Sequence, residues 1–158
     1  MIRAGVIGLL LGLLAADAGA HPAPNSMLRL DFRTTDVHAE YWIPASELAH
    51  ARAADPQTGG LADYLLRHLA AESPDGASWQ VRVDGVRETS YVDHPYFVAD
   101  VRLVPPAGAS TRAFVIVDDA VTHEVRNHRV YVVTRRDAGS DLIGILQYPA
   151  RRLEVAFP

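Results

Sequence analysis

Cysteine is absent from the 158 residues, and so is lysine. Without a thiol there can be no disulfide, no cysteine nucleophile, no thiolate ligand and no lipid-bearing cysteine at a processed N-terminus. Without lysine there is no Schiff-base chemistry, and all fifteen basic residues are arginine. Those fifteen face nineteen acidic residues, for a formal charge of −4. No basic patch offers a footprint for nucleic acid. The sequence also lacks a Gly-x-Ser-x-Gly elbow and a glycine-rich phosphate loop. These absences argue for a protein that is not an enzyme. They also leave hydrophobic burial to hold the fold together.

The one long apolar run lies at the start. Met1-Ile2-Arg3 is a short positive opening, Ala4–Leu14 is uninterrupted by charge, and Ala18-Gly19-Ala20 is a small-x-small cleavage site. That order is the pattern of a secretory signal peptide, and the run is shorter than the roughly 20 residues that span a bilayer. The expected division is a cleaved signal over 1–20 and a single domain over 21–158, exported to the periplasm. Arg3 and Asp17 cancel, so the mature chain keeps the charge. About 138 residues are enough to bury a core.

Alternation of apolar and polar residues then marks strands. Leu28, Leu30 and Phe32 alternate with Arg29 and Asp31, and Val37, Ala39, Tyr41 and Ile43 with His38, Glu40 and Trp42. These two runs read as a hairpin. Residues 45–52 and 61–72 read as helices, the second with Leu61, Leu65 and Leu69 in a stripe. From Trp79 the pattern is β again. Asp84-Gly85 reads as a hairpin turn between 79–83 and 86–92, with further strands over 97–103, 114–117 and 129–133. A polar turn is expected over 135–141, followed by a last pair of strands near 142–146 and 153–157. Short strands separated by turns predict a mainly β fold, an antiparallel β-sandwich with a one- or two-helix insertion at about 45–72. The predicted core is Leu28, Leu30, Phe32, Ala39, Tyr41, Leu65, Leu69, Trp79, Val81, Val101, Leu103, Phe114, Ile116, Val130 and Val132.

The densest group of potential ligands is Asp118–Val133, DDAVTHEVRNHRVYVV. His123 and His128 are five apart, where the helical zinc-protease motif needs four. On a regular strand they would face opposite sides, and they share a metal only if the chain bends near Arg126-Asn127. The packing alternative places His123 on an inner face with Val121 and Val125, and His128 at a hairpin end. A second possible site is the processed N-terminus. The α-amine and imidazole of His21 can chelate copper, with His38, His94, His123 or His128 completing a brace. The metal candidates are therefore His21, His123 and His128, with copper or nickel as the ion. A hydrolytic group of Asp118, Asp119 and His123 would need all three in one pocket, whereas adjacent strand residues face opposite ways, so Asp118-Asp119 reads as a solvated turn. His68, beside Tyr64 and Leu65 on a helix face, reads as packing.

Several segments together carry a family likeness: HPAPNS after the signal, WIPASEL, LADYLLRHL, VRLVPPAG and DDAVTHEVRNHRVYV. They resemble the extracytoplasmic N-terminal domain of bacterial membrane proteins of the hydrogenase/urease accessory type (HupE/UreJ-like). The resemblance implies an exported β-rich domain that precedes a polytopic membrane region, in a family with members associated with nickel or cobalt uptake. It places His123 and His128 where the family-like segment carries its histidine pair. The sequence stops at Pro158 with no membrane helix after it, as expected of a fragment, a stand-alone relative or a truncated gene, and transport is not expected to carry over. The expectation is a non-enzymatic accessory or binding domain that engages a membrane or envelope partner, without a lipid anchor. The alternative is a periplasmic metal-binding protein.

Overall fold

A computed structural model describes residues 24–55, 59–136 and 139–157. The expected signal peptide and His21 lie outside the described residues. The strands in chain order are β1 (Ser26–Phe32), β2 (Val37–Pro44), β3 (Leu69–Glu72), β4 (Gln80–Tyr91), β5 (His94–Val104), β6 (Ala113–Asp118), β7 (Arg129–Arg136), β8 (Gly139–Gln147) and β9 (Arg152–Ala156). Two helices, α1 (Ala45–Ala54) and α2 (Leu61–His68), fall between β2 and β3. No helix among the described residues is long and apolar enough to cross a membrane.

The strands form two sheets, ordered β4-β5-β2-β1-β7-β8 and β3-β6-β9. Every ladder is antiparallel except β1 beside β7. The architecture is therefore the expected mainly β, sandwich-like one, with one parallel pair. Alternation explains why the sheets share a core. Leu28, Leu30, Ala39, Tyr41, Val101, Leu103, Val130 and Val132 point inward from the larger sheet, and Leu69, Ala71, Phe114, Ile116 and Val155 belong to the smaller one. Of the predicted core, all but Phe32 and Val81 are buried, and those two pack against the cluster half-buried.

Four local readings change. The helix begun at Leu61 stops at His68, and Leu69–Glu72 pairs with β6 as a strand. Its last turn gives way because a ladder with β6 satisfies the same backbone groups and also buries Leu69 and Ala71. Asp84-Gly85 is not a turn. β4 runs straight through it with a bulge between Val83 and Gly85, and the chain reverses at Val92-Asp93 (φ 47° and 62°). An Asp-Gly pair suits a bulge as well as a turn, so composition alone does not separate the two. The last two strands do not pair with each other, since β8 joins β7 and β9 joins β6. The polar segment at 135–141 is mostly ladder, with Arg136 opposite Gly139.

Two glycines answer to specific geometry. Gly59 has φ +152°, and a Cβ there would come within 3.0 Å of the Asp63 carboxylate. That carboxylate accepts the Gly60 N–H at the start of α2 (3.1 Å). Gly144 on β8 lies where the two sheets approach, and a Cβ would meet Leu153 Cδ1 of β9 at 2.6 Å.

The outer face of the six-stranded sheet divides in two. One half is an ion-pair lattice across β1, β2, β5 and β4: Arg29 with Glu40, Arg87 with Glu40 and Asp100, and Arg102 with Asp84. The other half is aromatic, with Trp42 in edge contact with Tyr91 and Tyr96.

Candidate metal centre

The site forms where β3 begins and β6 ends. The ladder pairs Leu69 with Asp118, and one step further the Asp119 N–H donates to the His68 carbonyl at 3.1 Å. The chain leaves β6 at Asp119 in a tight helical turn, in which the His123 N–H donates to the Asp119 carbonyl at 3.2 Å. His68 sits one turn beyond Tyr64 on α2, so both rings share a face (centroids 4.5 Å apart). Two segments distant in sequence, the end of α2 and the turn that follows β6, thus converge.

One ligand atom each from His68, Asp119 and His123 lies within 4.8 Å of the others. All three residues are partly buried. His68 Nδ1 is 2.8 Å from Asp119 Oδ1, and His123 Nδ1 is 2.7 Å from the Asp119 carbonyl oxygen. A carbonyl only accepts, so His123 carries its proton on Nδ1 and keeps a lone pair on Nε2. Two imidazoles and a carboxylate suit zinc, copper, nickel or iron. The two rings are stacked, with centroids 4.4 Å apart and planes 14° from parallel. Their lone pairs lie in nearly parallel planes, so closing on one ion requires one ring to turn about its Cβ–Cγ bond. That torsion is soft.

Asp119 is held as an anion. Burial alone would raise its pKa, but hydrogen bonds and charge from His68 and Arg151 outweigh burial and hold it below the usual carboxylate range. Arg151 donates to Oδ2. Asp118, its neighbour, faces the other way into the core. It accepts the Tyr41 hydroxyl at 2.5 Å and the Ala120 N–H at 3.1 Å. Burial pushes the Asp118 pKa up to about 6, against those two hydrogen bonds. Asp118, Asp119 and His123 therefore do not line one pocket. Asp118 is also buried, where a solvated turn was expected.

Nor does the structure bring His123 and His128 together. His128 is fully buried just before β7, where its Nε2 accepts the Ser26 N–H at 3.2 Å and lies 2.8 Å from Ser26 Oγ. Its Nδ1 finds no partner among the described residues, and burial lowers its pKa to about 4. It ties β1 to the entry of β7. The segment around His123 is neither a strand nor packed as one, because hydrogen bonds from His123 to Asp119 and from Val125 to Val121 coil it. His38 is half-buried on β2, while His50 and His94 are exposed, and none of them joins the cluster.

Sequence reading missed His68. The four-residue spacing from Tyr64 put it on the helix's buried side, but its partner depends on the β3–β6 register, which no local pattern reveals. No family model and no curated protein matches this chain, so function rests on the geometry.

Proposed function

We propose that this chain is an exported, non-enzymatic binding domain whose ligand is a divalent transition-metal ion held by His68, Asp119 and His123. The observation that carries the reading is the convergence of two imidazoles and a carboxylate, all within 4.8 Å, from two segments 51 positions apart in the chain. Three protein ligands leave coordination positions open, which suits a site that takes up and passes on an ion. Calorimetric titration of the processed chain, beginning at His21, with copper(II), nickel(II) and zinc(II) tests it. Stoichiometric binding is expected, weakened more than about 100-fold by His68→Ala or His123→Ala, beyond what loss of an outer partner costs. His128→Gln should leave binding intact. Binding lost instead in His21→Ala would move the site to the N-terminus.

A second reading, engagement of a membrane or envelope protein, is supported by the aromatic half of the outer sheet face. A cleft of about 400 Å³ there is lined by Met27, Trp42, Tyr91, Tyr96, Tyr131 and Val133. Tyr91 is 59% exposed, large for an aromatic ring with neighbours to pack on. Such surfaces serve protein contacts. The resemblance to HupE/UreJ-like domains favours the same partner class. A photo-crosslinker at Tyr91 should capture one envelope protein that the same group at Arg82, on the ion-paired half, does not. Equal capture from both positions would sink the reading.

A further inference from the structure

We infer that Arg151 tunes the metal centre by competing with the ion for the charge of Asp119, which keeps binding reversible. The inference rests on the metal-binding reading above. Asp119 divides its carboxylate, with Oδ1 facing His68 Nδ1 at 2.8 Å and Oδ2 taking the Arg151 guanidinium. Arg151 is placed there by the fold, since its carbonyl accepts the Asp118 N–H at 2.9 Å where the chain enters β9. That backbone bond holds the residue at the site whatever its side chain. The guanidinium itself is 55% exposed against 20% for Asp119, so it covers the carboxylate from the solvent side.

A guanidinium on one oxygen and a divalent ion beside the other draw on a single negative charge. They also repel each other across the width of a carboxylate. The arginine thus lowers affinity while keeping Asp119 ionised and oriented. A three-ligand site with an open face already releases its ion more readily than a closed one. The neighbouring cation takes the effect further, and an exported domain that hands its ion on needs that property.

The test is zinc(II) and nickel(II) titration of the native full chain, Arg151→Gln, Arg151→Lys and His123→Ala, in perchlorate at low and at about 1 M ionic strength. Arg151→Gln should bind roughly tenfold more tightly at low salt, which is what a divalent ion and a unit charge about 6 Å apart come to in water. The gain should shrink at high salt, where the Debye length falls to about 3 Å. Arg151→Lys keeps the charge and should bind like the native chain. Unchanged or weaker binding by Arg151→Gln, with native binding intact, would overturn the competition and make Arg151 a support for its ligand. No binding by the native chain or by Arg151→Gln would instead remove the metal site itself. Thermal melting of each variant identifies any loss that comes from unfolding, and the Lys variant then decides alone, with a departure from native affinity counting against the proposal.

Discussion

The backbone N–H of Asp119 donates to the carbonyl of His68, 51 positions away in the chain, at the point where their strands stop pairing. That bond aligns the two side chains, so the carboxylate meets the imidazole as a consequence of sheet register. Shifting one strand by one residue would turn its side chain to the other face and part the two groups.

The Tyr41 hydroxyl is the principal hydrogen-bond donor to buried Asp118. Tyr41→Phe should cost about 1–3 kcal/mol at pH 7, because it leaves a buried carboxylate oxygen short of its partner. It should also raise the Asp118 pKa further above about 6, since that hydrogen bond is what lowers it. Chemical denaturation and carbon-13 NMR titration of the carboxyl group check the two effects.

Asp118 and His128 give stability opposite slopes over one pH range. Asp118 has a raised folded pKa of about 6, so its contribution is complete below its unfolded value near 4 and is lost as pH rises through 6. His128 has a lowered folded pKa of about 4, so its contribution is complete above about 6.5 and is lost as pH falls through 4. Asp118→Asn should therefore be more stable than the native chain at pH 7, by up to about 3 kcal/mol, and markedly acid-labile. His128→Gln should be the reverse, more stable at pH 4 than at pH 7 once its own packing loss is subtracted. Melting curves at both pH values show whether the slopes cross in this way.

At the β4–β5 turn, Val92 and Asp93 both hold positive φ. A β-branched residue in that region is strained by about 1–2 kcal/mol, and the turn type favours Asn-Gly. Replacing Val92 with Asn and Asp93 with Gly should raise stability by about 1–2 kcal/mol and leave the fold unchanged. A lower denaturation midpoint in the double variant would contradict this.

Gly144 is needed for the approach of β8 to β9. Gly144→Val should cost about 1–3 kcal/mol, because a Cβ at 2.6 Å from Leu153 Cδ1 forces that side chain out of its place. Combining it with Leu153→Ala should recover part of the loss, and a double-mutant cycle measures the coupling.

Much of the fold was legible in the chain because it is local. Period-two alternation put Leu28 and Leu30, Ala39 and Tyr41, Val101 and Leu103, and Val130 and Val132 on inner faces, and all eight are buried. The two helix starts were visible for the same reason. The absence of cysteine and lysine determined, before any folding, that no thiol or amine side chain takes part in the chemistry. Pairing is non-local, and only the tertiary structure decided it. It set β1 parallel to β7, sent β8 and β9 to different sheets and ended α2 at His68. It also separated His123 from His128, neighbours in sequence, by coiling one segment and burying the other. Periodicity tells a residue which face to take. Which strand lies alongside depends on the summed burial of the whole core, and that sum brings His68 and Asp119 together.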